Sequence, residues 1–170
     1  MKPTVVDRNA LLSFKSSVQG NLSDWASHMW TWTGVACNSR GRVISLDLAG
    51  FNLTGVISPA ISNLSALEYF DLSDNQLSGN IPSKLGVIPE TLGLLKSMTD
   101  ISLSSNNLIG EIPDICNCSS LIIILRDNNL TGEIPFSTRC QLPYLDVLFL
   151  FDNRLVGVIP SVINIEFYKP

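Results

Sequence analysis

The chain has 170 residues, 45% of them hydrophobic and 15% charged, and a formal net charge of −4. That balance is too apolar for a disordered chain, and without a basic stripe interleaved with aromatics it excludes nucleic acid as a partner. There is no run of about 18 apolar residues, so no membrane contact by this segment is expected.

At the start, Met1-Lys-Pro-Thr-Val-Val runs straight into a charged helical stretch, and with no apolar h-region no signal peptide is expected here. Asp7 reads as an N-cap, Ala10, Leu11, Phe14 and Val18 follow at helical spacing, and Gly20 is placed to end the helix. The apolar stripe of this helix is expected to cover the open end of the first strand, with Trp25 and Trp32 adding large buried rings. The single histidine, His28, lies beside Met29 and Trp30. A Ser-His-Asp arrangement or a histidine metal site would have to be assembled around it alone, so an ordinary loop residue is expected. Every glycine is explained by a turn, which leaves no phosphate-cradling loop. The chain is therefore expected to have no cofactor, no metal and no catalytic residue.

From residue 53 onward one phrase returns five times: Leu53-Thr-Gly-Val-Ile57, Leu77-Ser-Gly-Asn-Ile-Pro82, Leu108-Ile-Gly-Glu-Ile-Pro113, Leu130-Thr-Gly-Glu-Ile-Pro135 and Leu155-Val-Gly-Val-Ile-Pro160. The glycines are 24, 31, 22 and 25 residues apart, the period of stacked leucine-rich units. Upstream of each glycine, a stretch such as Leu67-Glu-Tyr-Phe-Asp-Leu72 alternates with period two, which makes a short strand with Phe70 and Leu72 turned inward. Asn75, repeated as Asn106, Asn128 and Asn153, stands where the strand bends away, and its amide can bond backbone groups that the turn would otherwise bury unpaired. The first unit has Phe51 there. Proline fixes φ and holds the preceding isoleucine extended. No unit can bury its own apolar edge, so stability must come from stacking.

Two irregularities interrupt the series. Ile81-Pro-Ser-Lys-Leu-Gly86 is followed by Val87-Ile-Pro-Glu-Thr-Leu-Gly93, as though a seven-residue piece were duplicated, and this insertion is expected to bulge from the convex or lateral side. At the far end, residues 163–170 lack a clear polar cap, so self-association through an open C-terminal edge is expected.

The repeat Leu-x-x-Leu-x-Leu-x-x-Asn-x-Leu-x-Gly-x-Ile-Pro resembles the plant-specific extracellular leucine-rich repeat of receptor-like kinases and receptor-like proteins. Ahead of it, Asp7-Arg-Asn-Ala-Leu-Leu-Ser-Phe-Lys15, Leu22-Ser-Asp-Trp25 and Trp32-Thr-Gly-Val-Ala-Cys37 resemble that family's N-terminal cap. The resemblance implies an α/β fold: a right-handed leucine-rich-repeat solenoid with a parallel concave sheet and a helical cap. Residues 1–42 would form the cap and 43–162 five repeats, with the insertion near 87–93. It also implies that the family's cap bridge is missing, since Trp30 occupies the position of the cysteine that would pair with Cys37. Cys37 is then expected to be free. A bridge from Cys140 to either Cys116 or Cys118 would join adjacent repeats whose strands lie about 4.8 Å apart, and the repeat alignment leaves both partners open. Metal binding by Cys116 and Cys118 is not expected, because a zinc site wants four ligands.

Five triplets, at Asn21, Asn52, Asn63, Asn117 and Asn129, fit the N-glycosylation acceptor. With the resemblance, they point to a secreted protein or to the extracellular face of the plasma membrane. The outward strand positions read Ser45, Asp47 and Ala49; Tyr69, Asp71 and Ser73; Asp100, Ser102 and Ser104; Ile122, Ile124 and Arg126; Val147, Phe149 and Phe151. The face changes from small, polar and acidic to a contiguous apolar patch of the kind that marks an interface. Tyr69, Asp71, Asp100, Ile122, Ile124, Arg126, Val147, Phe149 and Phe151 are thus the candidate ligand-binding residues. The function implied is extracellular recognition of a peptide or protein ligand, or a co-receptor, in signalling or defence. A secreted inhibitor of microbial wall-degrading glycosidases, resembling polygalacturonase inhibitors, is the alternative. Ice binding needs regular threonines on one sheet, which these varied positions lack. A carbohydrate-active enzyme would rest on Asp47 and Asp71 as paired carboxylates on neighbouring strands.

Overall fold

The computed structural model describes residues 4–26, 32–83, 98–113, 121–135 and 145–158. The insertion near 87–93, His28, Trp30, Cys116, Asn117, Cys118, Cys140 and the tail 163–170 lie outside the described residues.

The first element is α1 (Val5–Ser17). Its N-cap is Thr4 and not Asp7: the Thr4 hydroxyl accepts from the Asp7 amide at 3.2 Å. Asp7 is instead wholly buried, and its carboxylate accepts from Arg42 Nε at 3.0 Å and from the Val43 amide at 2.8 Å. Arg42 in turn donates to Ser65 Oγ at 2.7 Å. The pair ties the helix to the first repeat strand, a long-range demand that outranks capping. Phe14, Trp25 and Trp32 are buried as expected, with the two indoles stacked at 4.5 Å between centroids. The Trp25 indole N–H donates to the Thr33 carbonyl at 3.1 Å.

Gly20 does not end the helix, because α1 passes directly into a short strand, β1 (Val18–Gln19). The helix stripe Ala10, Leu11 and Phe14 joins the same core as Val43 and Leu46 of the first repeat strand, but it does not pair that strand's backbone edge. That edge is taken by β2 (Val35–Cys37), which pairs antiparallel with β3 (Val43–Asp47), Ala36 opposite Ser45.

Beyond the cap the chain alternates between two sheets. The inner sheet is completed by β5 (Tyr69–Asp71), β7 (Asp100–Ser102), β9 (Leu121–Ile124) and β11 (Leu145–Phe149), all parallel to β3. The Leu-x-Gly phrases form a second parallel series, β4 (Thr54–Val56), β6 (Gln76–Asn80), β8 (Asn107–Glu111) and β10 (Asn129–Thr131). β1 closes the outer edge of β4 as an antiparallel partner. That approach is close: a Cβ on Gly55 would stand 2.3 Å from the Ser17 carbonyl oxygen, and with φ +105° the position accepts little besides glycine.

Between the sheets lies the leucine spine. Leu46, Leu48, Leu53, Phe70, Leu72, Leu77, Leu103, Leu108 and Leu130 have no solvent exposure. Each such side chain contributes about 1.5–3 kcal/mol by leaving water, and no single turn could bury its share without the next.

The asparagines bind turn to turn. Asn75 Nδ2 donates to the carbonyls of Leu48, Leu72 and Ser73, while its Oδ1 accepts from the Leu53 amide at 2.8 Å. Asn106 repeats the set with Leu72, Leu103, Ser104 and Leu77. Asn128 and Asn153 repeat it again. Each amide therefore satisfies backbone groups of its own turn and of the preceding one. Asn75 reaches back to Leu48, and at the corresponding place in the first unit Phe51 packs against the core.

Candidate functional site

The inner sheet presents its outward side chains in rows: β3, β5, β7 and β9 pair in steady register, and the register shift between β9 and β11 falls ahead of Val147. Ser45 stands opposite Tyr69, Tyr69 opposite Asp100, Asp100 opposite Ile122, and Ile122 opposite Val147. The second row runs Asp47, Asp71, Ser102, Ile124, Phe149. Neighbours in a row are about 4.8 Å apart, so seven of the nine candidate ligand-binding residues share one face, while Arg126 and Phe151 follow the ends of β9 and β11.

On β3, β5 and β7 the face is acidic and hydrogen-bonded. The Tyr69 hydroxyl donates to Asp71 Oδ2 at 3.1 Å, and Ser73 donates to Asp71 Oδ1 through its amide at 2.8 Å and its hydroxyl at 2.6 Å. Thr99 donates to Asp100 Oδ2 at 2.6 Å. Partial burial, followed by the charge of Asp71 and its hydrogen bond, and then the charges of Asp47 and Asp100, pushes the Tyr69 phenol up to about 12. The phenol therefore stays neutral and donating across the physiological range. Asp47 and Asp71 are direct cross-strand partners, as the period-two reading requires, but both oxygens of Asp71 are engaged by Tyr69 and Ser73. Among the described residues, no group of three or more His, Cys, Asp or Glu is placed to hold a metal.

On β9 and β11 the face becomes apolar. Ile122, Ile124, Val147 and Phe149 are half-buried, and Phe151 is 40% exposed. The rings of Phe149 and Phe151 meet tilted at 5.9 Å between centroids. The Arg126 guanidinium lies 5.7 Å over the Phe151 ring and pairs with the Asp127 carboxylate. Stacking of this kind contributes about 0.5–1 kcal/mol and holds a cation at the border of the patch.

Two of the outward positions are covered and not open to solvent: Ser73 and Ser104 are 7% and 5% exposed, the Ser73 hydroxyl bonded to Asp71 and the Ser104 hydroxyl 3.5 Å from that of Ser102. Cys37 carries a free thiol, whose ionisation burial and then the nearby charge of Asp7 push up. Of the glycan acceptors, Asn21, Asn52 and Asn63 are exposed and Asn129 is half-buried. Sequence reasoning missed the Tyr69–Asp71 bond, for which the i, i+2 spacing on β5 was the available signal, and the stack of Arg126 on Phe151, which joins two turns and has no such signal.

Two family models match the chain, the leucine rich repeat N-terminal domain over residues 6–38 and the leucine rich repeat over 66–93. A chain in the crystal structure of the BIR3–SERK2 complex from Arabidopsis thaliana superposes with a TM-score of 0.75 at 34% identity, covering 92% of this chain and 87% of that one. The chain belongs to the plant leucine-rich-repeat receptor-ectodomain family. A putative leucine-rich repeat receptor-like serine/threonine-protein kinase of the same plant is 38% identical over 180 residues. The match takes in 86% of this leucine-rich-repeat chain but spans only 18% of the kinase's length. The structure of the receptor kinase HAESA in complex with the peptide hormone IDA and the co-receptor SERK1 superposes at a TM-score of 0.73 and 26% identity, covering 94% of this chain and 27% of that one. Among the described residues, no helix is long and apolar enough to cross a membrane.

Proposed function

We propose that the chain is an extracellular recognition module that takes a protein or peptide ligand, or a co-receptor, on its inner sheet. Tyr69, Asp71, Asp100, Ile122, Ile124, Arg126, Val147, Phe149 and Phe151 would supply the contacts, in a signalling or defence receptor and without catalysis. The observation that carries this reading is the in-register patch of Ile122, Ile124, Val147 and Phe149 with exposed Phe151, bordered by Arg126 on one side and the Asp47, Asp71 and Asp100 rows on the other. A parallel sheet face of this kind ordinarily needs cover. The family's solved complexes with peptides and co-receptors support a partner as that cover.

The test is capture from plant apoplastic fluid by the purified chain and by a Phe149→Ser, Phe151→Ser variant, with thermal melts in parallel. Loss of capture with a nearly unchanged melt is the expected result. Equal capture by both proteins would overturn the proposal, and a melt lowered together with capture would show that the two rings serve the core.

A further inference from the structure

The Tyr69 ring stands 38% exposed in the midst of the acidic rows. Asp100 is its cross-strand partner on β7, Asp71 lies two residues along β5, and Asp47 is the partner of Asp71 on β3. All three charges act on the phenol, since each helps to hold it protonated. Among the described residues the ion pairs are Asp7 with Arg42 and Asp127 with Arg126, so Asp47, Asp71 and Asp100 have no cation opposite them. No three acids there are placed to hold a metal. An exposed aromatic face set between carboxylates suits an organic cation, because the ring quadrupole and the acids attract the same charge. The chain makes such a contact within itself, where the Arg126 guanidinium lies 5.7 Å over the Phe151 ring. Between this seat and the apolar patch, the second row carries Ser102, a small side chain over which a backbone can pass. From Tyr69 on β5 to Phe149 on β11 is three strand spacings, roughly 14 Å. An extended segment crossing the strands covers that distance in about four residues, and an even separation turns both of its side chains toward the sheet.

We infer that the occupant of the inner sheet is an extended peptide segment that seats an arginine or lysine over Tyr69, between Asp71 and Asp100, and an aromatic or leucine side chain on Ile124 and Phe149, the two anchors about four residues apart. The inference rests on the inner-sheet reading proposed above and adds to it the charge and the spacing of the ligand. Asp47 extends the negative field beyond Tyr69, so the basic anchor lies toward the cap and the apolar anchor away from it. Arg126 enforces that order, because the reverse seating would put the ligand's cation beside a guanidinium and its apolar side chain among carboxylates. Either chain direction satisfies the two seats. The net charge of −4 also draws a basic segment toward the chain before contact.

The experiment is selection of random dodecapeptides displayed on phage by the purified chain at low salt, followed by affinity measurement on the enriched sequences. The expected result is enrichment of Arg or Lys at a spacing of about four from Phe, Tyr, Trp or Leu, in either order. These peptides should bind about tenfold more weakly to an Asp100→Asn, Tyr69→Leu variant, and within about twofold of the parent to Tyr69→Phe, which keeps the ring. Should the double variant melt lower than the parent, Asp47→Asn with Asp100→Asn leaves Tyr69 in place and should still weaken binding about threefold. Enriched peptides that are neutral or acidic around an apolar anchor would overturn the inference, as would another spacing, no enrichment, or equal affinity for the carboxylate variants. The choice of the inner sheet as binding face fails separately, if the Phe149→Ser, Phe151→Ser variant holds the same peptides as tightly as the parent.

Discussion

Asn106→Ala removes a fully satisfied link between turns. The side chain is 7% exposed, donates to the Leu72, Leu103 and Ser104 carbonyls at 2.9, 3.2 and 3.1 Å, and accepts from the Leu77 amide at 2.9 Å. Alanine cannot replace any of these, and the Leu77 amide is left buried without its partner, which alone costs about 1–3 kcal/mol. With the two N–H donors of Nδ2, shared among the three carbonyls, at a net of about 1 kcal/mol per donor, the sum is about 3–5 kcal/mol. That is a large share of the ~5–15 kcal/mol by which domains are stable. Asn106→Asp keeps the acceptor for Leu77 but turns a carboxylate oxygen toward three carbonyls, so it should cost as much at neutral pH. Asn153→Ala removes the same bonds at a half-exposed end of the ladder, where water replaces them, and should cost about 1 kcal/mol. Urea denaturation with comparison of m-values decides the matter. A cost for Asn106→Ala below about 1 kcal/mol, or equal to that of Asn153→Ala, would refute the view that the amides couple the turns.

Asp7→Asn should destabilise the protein by about 2–4 kcal/mol in the same assay, since it leaves Arg42, itself 26% exposed, without its buried counter-charge. The Tyr69 phenol, raised to about 12, should ionise above the ordinary tyrosine range in a spectrophotometric titration referenced to a Tyr69→Phe variant. The raised folded-state value also sets the sign of the pH dependence: Tyr69's contribution to stability is full below about pH 10, where the unfolded phenol ionises, and is lost as pH rises toward 12. A midpoint for Tyr69 near 10, or alkaline stability unaffected by Tyr69→Phe, would remove the acidic cluster from the account.

The inner sheet was legible in the sequence because its strands obey a strict period of two, so that Phe70 and Leu72 had to point inward and Tyr69 and Asp71 outward. The asparagine ladder was legible for a related reason, since a buried polar residue at a fixed place in a repeat must satisfy the backbone around it. The second sheet was not. Its parallel strands have three to five residues, with a glycine inside β4, β6 and β8 and just after β10, and glycine in so short a run reads as a turn because it weakens a lone strand. What makes these segments strands is the pairing of one turn with the next, a property no single segment displays. Asp7 was misplaced for the same kind of reason: locally it is a good cap, but its partner, Arg42, is 35 residues away. Within the candidate site, the identity of the rows could be read, whereas the stack of Arg126 on Phe151 and the half-burial of the isoleucines depend on rotamers and neighbours that spacing does not fix.

The central claim is that a partner seats on the apolar end of the inner sheet. It is tested most directly by placing photoreactive benzoylphenylalanine at position 149 or, on the second sheet, at position 109, and irradiating each protein in apoplastic fluid. The account predicts a discrete protein or peptide adduct from position 149 and none from position 109. An adduct from position 109 alone would contradict it and move the binding face to the second sheet.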